Sequence, residues 1–89
     1  MFRIFVMGAS LRSVRAVEHL RELSAAALGD AVEIEVVDVL ASPERAEQEK
    51  IIATPTVLRL SPSPTRRVIG DLADLELAAS ALGLPGAPK

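Results

Sequence analysis

The stretch IIATPTVLRLSPSPTRRVIGDL, residues 51–72, holds a Thr-Pro-Thr step, an apolar run, a proline-rich turn, an Arg pair and a Gly-Asp pair within 22 positions. Pro55 stands directly before Thr56, Val57, Leu58, Arg59 and Leu60, a run rich in strand-favouring side chains. Because proline donates no ladder hydrogen bond and steers Thr54 toward extended conformations, the chain turns here and enters a sheet. Ser61-Pro62-Ser63-Pro64 is too stiff to continue that strand, so residues 65–69 return as its antiparallel hairpin partner. Gly70 ends the hairpin, and Asp71 offers a side-chain cap for a helix over residues 72–82. Composition does not decide whether the Thr54-Pro55 bond is cis.

Outward from this stretch, residues 3–7 are almost continuously apolar, as a strand covered on both faces requires, and Gly8 closes them. Ser10 or Ser13 caps the next helix. In it Val14, Val17, Leu20, Leu23 and Ala27 recur at spacings of three and four, and this stripe is expected to face the sheet. Arg15, Glu18, His19 and Glu22 take the opposite side, and Gly29 provides the stop. Residues 32–39 alternate, with Val32, Ile34 and Val36 against Glu33, Glu35 and Val37, a strand with one face less buried than the other. A helix between two strands of one sheet implies a parallel crossover. Ser42-Pro43-Glu44 combines a capping residue, a proline at the first helical position and an acid for the helix dipole, opening a short polar helix over residues 43–50.

The order βαβαββα, with a four-stranded mixed sheet and three helices, is that of the thioredoxin-like α/β fold, in which a cis-proline normally precedes the third strand. Pro55 falls in that place. A chain of 89 residues accommodates one domain, expected over residues 1–84, with residues 85–89 as a short flexible tail.

With no cysteine, the chain forms no disulfide and no thiolate metal site, and does no thiol redox chemistry; a cytoplasmic setting is expected. Ten basic against twelve acidic residues leave a net charge of −2, and the only aromatics are Phe2 and Phe5. Neither the field nor the stacking surface of a nucleic-acid binder is present. The opening MFRIFVMG does not read as a signal peptide, and no segment has the roughly 20 apolar residues of a membrane span.

At ATPT and RRVIGDL the sequence resembles the KaiB family of circadian-clock proteins. The likeness extends through FVMG, SVRA, VVDVL, Pro43, Ala46-Glu47 and Lys50, and covers residues 2–82. It implies a non-catalytic adaptor, without cofactor, that binds a KaiC-like ring ATPase or another protein. Some members of the family also interconvert between a tetrameric ground-state fold, βαββααβ, and a monomeric thioredoxin-like form that binds. In the ground state the last helix becomes a strand. Here residues 72–84 contain no Val, Ile, Thr or aromatic residue, while Ala73, Ala78, Ala79 and Ala81 favour helix. The thioredoxin-like form is therefore expected at rest, with reduced switching, as a monomer; a dimer or tetramer are the alternatives.

The expected partner-binding residues are Arg15, Glu33, Glu35, Lys50, Arg66 and Arg67, with Pro55, Gly70 and Asp71 in structural roles. Arg66 and Arg67, adjacent on a strand, point to opposite faces. Glu33 and Glu35 depart from the family, which tends to carry a small residue and a Lys there, and like charges across an interface cost several kcal/mol. Ser10 to Ser13 occupies the position of the thioredoxin Cys-x-x-Cys, where serine supports capping or, as an alternative function, the binding of glutathione or another small ligand with Pro55. His19 lacks a catalytic neighbour, and Glu44, Glu47 and Glu49 form a solvated helix face rather than a metal site.

Overall fold

The computed structural model describes residues 1–29, 32–61, 64–70 and 72–84. Its elements are β1 (Phe2–Val6), α1 (Leu11–Leu28), β2 (Ile34–Asp38), α2 (Pro43–Gln48), β3 (Thr56–Arg59), β4 (Arg66–Ile69) and α3 (Leu75–Ala81). The sheet order is β2-β1-β3-β4. β1 runs parallel to β2 and antiparallel to β3, and β3 to β4 is the antiparallel hairpin. The sequence-derived order is thus the observed one, and the thioredoxin-like arrangement holds.

Alternation along the strands divides the core. Phe2, Ile4, Val6 and Val57 point to the face covered by α1 and α3, where they pack with Ala16, Leu20, Leu23, Ala78, Leu82 and Leu84. The opposite face carries a smaller core of Phe5, Val37 and Leu58, covered by Ala46 of α2, Ile51 and Leu60. Full burial of each large aliphatic or aromatic side chain contributes about 1.5–3 kcal/mol, so the α1–α3 face supplies most of the apolar stabilisation.

Several local expectations are corrected. The buried stripe of α1 is Ser13, Ala16, Leu20, Leu23 and Ser24, while Val14 is 42% exposed. Small side chains set this phase. Ser13 Oγ accepts hydrogen bonds from Met7 N at 3.1 Å and from Ser10 Oγ at 2.8 Å, tying the first turn to the end of β1. Ser10, the N-cap, accepts from Ser13 N. In β2 the inward valine is Val37, and Val36 is 45% exposed, because Val36 lies on a sheet edge that α1 does not fully cover. α2 stops at Gln48 rather than at 50, and Ser42 makes no side-chain cap bond; with φ −133° and ψ 63° it is not in the extended conformation from which a cap reaches the helix.

The last helix begins at Leu75, not at residue 72. Leu72 has φ 63° and is buried as part of the approach to the helix, and Asp74 is the cap, accepting from Leu77 N at 3.1 Å. Asp71, Pro62, Ser63 and the tail at 85–89 lie outside the described residues. α3 closes in a Schellman turn: Leu84 N donates to Ala79 O and Gly83 N to Ser80 O, both at 3.0 Å, with Gly83 at φ 66°. The Thr54-Pro55 bond is cis. Among the described residues no helix is long and apolar enough to cross a membrane.

Candidate functional site

Two charged clusters lie on opposite faces of the sheet. On the α2 face, β2 places Glu35 beside Arg3 of β1, its register partner. Arg3 Nε reaches Glu35 Oε1 at 2.5 Å, and Arg45 of α2 grips the same carboxylate with both terminal nitrogens, at 3.0 and 3.1 Å. Arg3 also approaches Glu49 at 3.6 Å. The guanidinium groups of Arg45 and Arg3 hold the Glu35 carboxyl far below its ordinary 4.5, at about 2. Arg67 of β4 completes this face, donating to the main-chain oxygens of Glu49 at 2.7 Å and Lys50 at 3.1 Å. Lys50 itself has φ 55° and is exposed.

On the α3 face, Arg59 of β3 is 8% exposed and lies opposite Arg66 of β4. Its Nη1 donates to Leu82 O at 2.9 Å and Gly83 O at 3.3 Å, and its Nη2 to Pro64 O at 3.0 Å. One buried cation thereby joins the carboxyl end of α3, where the helix dipole is negative, to the β3–β4 hairpin. Gly83 makes room for it. A Cβ there would stand 2.8 Å from Arg59 Nη1 and 2.9 Å from Arg66 Nε.

Of the residues singled out from sequence, the fold joins Glu35 to α2 and Arg67 to the Glu49-Lys50 turn, and it sends Arg66 to the other face. Glu33 and Arg15 are exposed and take part in no ion pair among the described residues. Gly70, at φ 123°, donates its N–H to Pro55 O at 2.9 Å and so ties the end of the hairpin to the cis-proline. Sequence reasoning gave no role to Arg3, Arg45 or Arg59. The available signal was an arginine at an inward-alternating position of an apolar strand, which demands a buried acceptor.

Two grooves open on the surface, the first lined almost wholly by apolar groups and the second by a mixture in which apolar groups dominate. One, of about 310 Å³, runs between α1 and β2 along Val6, Gly8, Val14, Val17 and Val36. The other, of about 260 Å³, lies between α2 and the approach to Pro55, bounded by Met7, Val39, Ala46, Ile52 and Thr54. Ser10 is not among the residues lining the second groove; its hydroxyl is engaged with Ser13. Among the described residues no three acidic or histidine side chains are grouped to hold a metal ion.

In fold, the chain is similar to the N-terminal domain of Synechococcus elongatus SasA, with a TM-score of 0.72 and 21% identity over 89% of this chain and 75% of that one. It is also similar to mitochondrial thioredoxin 3 of Saccharomyces cerevisiae, with a TM-score of 0.70 and 21% identity over 93% and 76%. In sequence, the circadian clock protein KaiB3 of Synechocystis is 39% identical over 87 residues, 98% of this chain and 83% of the relative. The circadian clock oscillator protein KaiB of Prochlorococcus marinus strain NATL2A is 42% identical over 82 residues, 92% and 77%. The KaiB domain matches residues 3–84, nearly the whole described fold, and the chain belongs to the KaiB family.

Proposed function

We propose that this protein is a non-catalytic, monomeric adaptor of the cytoplasm that binds a KaiC-type clock ATPase in its thioredoxin-like form, and that this form is its resting state. The observation that carries the reading is the helical Leu75–Ala81 in a KaiB-family chain. In the ground-state fold that the resemblance implies for its relatives, this segment would be a strand. Here it is capped at one end by Asp74 and held at the other by Arg59.

The acids of the second strand bear on the choice of partner. Because Glu35 is neutralised by Arg3 and Arg45, the charge that β2 offers a partner beyond the family pattern comes chiefly from Glu33. That smaller departure favours a KaiC-type partner over an unrelated one.

Two measurements test the reading. Secondary chemical shifts over residues 72–84, with a translational diffusion coefficient, are expected to report a helix in a small particle. Mixing with a KaiC-type ATPase on a sizing column with light scattering is expected to give a complex. A strand and a tetramer at rest would overturn the resting-state part, and absence of a complex would overturn the partner.

A further inference from the structure

The three helices are attached to the sheet by different means. α1 and α3 bury Ala16, Leu20, Leu23 and Ala78 in the larger core, whereas α2 buries no residue and reaches the smaller core only through half-buried Ala46, with Ile51 just beyond it. What fixes residues 43–51 is charge: Arg45 on Glu35, Arg3 on Glu49, and Arg67 on the main-chain oxygens of Glu49 and Lys50. Among the described residues no main-chain hydrogen bond joins this segment to a strand. Its main-chain bonds are internal, as from Glu49 N to Arg45 O at 3.1 Å and from Ile51 N to Ala46 O at 2.9 Å. Beside it the packing is incomplete, leaving the groove of about 260 Å³ against Pro43, Ala46 and Ile51. At its end Lys50 sits at φ 55°, in the left-handed region that disfavours a residue with a Cβ.

We propose that residues 43–51 form a charge-clamped flap that opens as a unit, without global unfolding, and uncovers the apolar face of Phe5, Val37 and Leu58 as ionic strength rises. Local opening costs least where few apolar contacts and mostly solvent-screened bonds are given up. The flap surrenders its few apolar contacts and a set of ion pairs whose side chains remain partly in water. Such pairs are weak, and they weaken further as the Debye length falls from about 10 Å at 0.1 M salt to about 3 Å at 1 M. Salt rather than acid is the trigger, because Arg45 and Arg3 hold the Glu35 carboxyl at about 2 and so keep it charged throughout the neutral range. The other face of the sheet has no equivalent. Val57, the neighbour of Leu58 in β3, lies under α1 and α3, and freeing it dismantles the larger core.

The chain has no cysteine, so a single introduced thiol reports without background. Leu58→Cys places it under the flap, and Val57→Cys, one residue away, under α1 and α3; the two native side chains are 1% and 0% exposed. The test is the rate at which neutral iodoacetamide labels each folded variant, set against the global unfolding equilibrium of that variant in urea. Leu58→Cys is expected to react at least about tenfold faster than global unfolding allows, and Val57→Cys only as fast as it allows. Raising salt from about 0.05 to 0.5 M, or adding Arg45→Gln, is expected to speed Leu58→Cys about two- to fivefold beyond any change in its global stability. Labelling of Leu58→Cys at its global rate, equal acceleration by salt at both positions, or no effect of Arg45→Gln would each overturn the flap. Should Leu58→Cys not fold, Val37→Cys on the same face takes its place. In the unaltered chain, hydrogen exchange at the Ile51 amide is expected to quicken with salt while that of Leu20 does not. Salt-independent exchange at Ile51 overturns the proposal, and so does fast exchange there without labelling beneath the flap, which is fraying of the helix end.

Discussion

On the α2 side of the sheet Arg3 and Arg45 meet the carboxylate of Glu35, whereas on the α3 side Arg59 has only main-chain oxygens to bind and Arg66 stands without an acid among the described residues. The first cluster is open to water, with Glu35 and Arg45 each exposing more than a third of their side chains. Solvent and salt screen such pairs, so they orient α2 more than they stabilise it. In the second cluster Arg59 is buried, and its hydrogen bonds join parts of the chain 23 residues apart. There the Arg59 side chain ties the carboxyl end of α3 to the β3–β4 hairpin.

The largest expected effect comes from cutting the buried side. Arg59→Met leaves Leu82, Gly83 and Pro64 carbonyls without their donor and should cost roughly 2–4 kcal/mol in urea unfolding, with helical chemical shifts lost first at residues 78–84. A neutral result would mean that packing alone holds α3. Gly83→Ala comes next. It forces a Cβ onto a residue at φ 66° and into the two guanidinium groups, for an expected loss of about 1–2 kcal/mol. The same measurement on Asp74→Ala, which removes the N-cap of α3, should show about 1 kcal/mol.

The exposed side should respond least. Glu35→Gln is expected to cost less than any of these, and a double-mutant cycle between Glu35 and Arg45 to show a small coupling that falls as salt is added. Its signature is the pH profile. A carboxyl whose folded value lies below its unfolded one stabilises the fold fully above pH 4.5, and that contribution is lost as the pH falls from 4.5 to about 2. Acid unfolding followed by circular dichroism should therefore be shallower in Glu35→Gln across that window. If Glu35→Gln proved costlier than Arg59→Met, the contrast between the two faces would be reversed.

Much of this was legible in the chain itself. Pro55, Pro43 and the glycines punctuate it, and apolar runs of strand and helix period lie between them, so element order and the β3–β4 hairpin follow from local signals. Boundaries suffered where two residues compete for one task. Asp71 and Asp74 both suit an N-cap, and the Val36-Val37 step reads equally well in either phase until the neighbouring helix is placed. The candidate site was legible in its residue types but not in its groupings. Arg66 and Arg67 were separable by strand alternation, yet the junction of Arg67 with the Glu49-Lys50 turn, and Arg59 altogether, came only with the fold.

The sequence by itself determined what depends on steric and backbone preference within a few residues: the hairpin, the helical leaning of the alanine-rich last segment, and the exclusion of thiol chemistry. The tertiary structure alone decided which charges are answered. Glu35 lies 32 positions from Arg3, and Arg59 lies 23 from Leu82. Such partners meet only when the sheet order brings β2 beside β1 and lays α3 across β3 and β4, and no local preference carries that information.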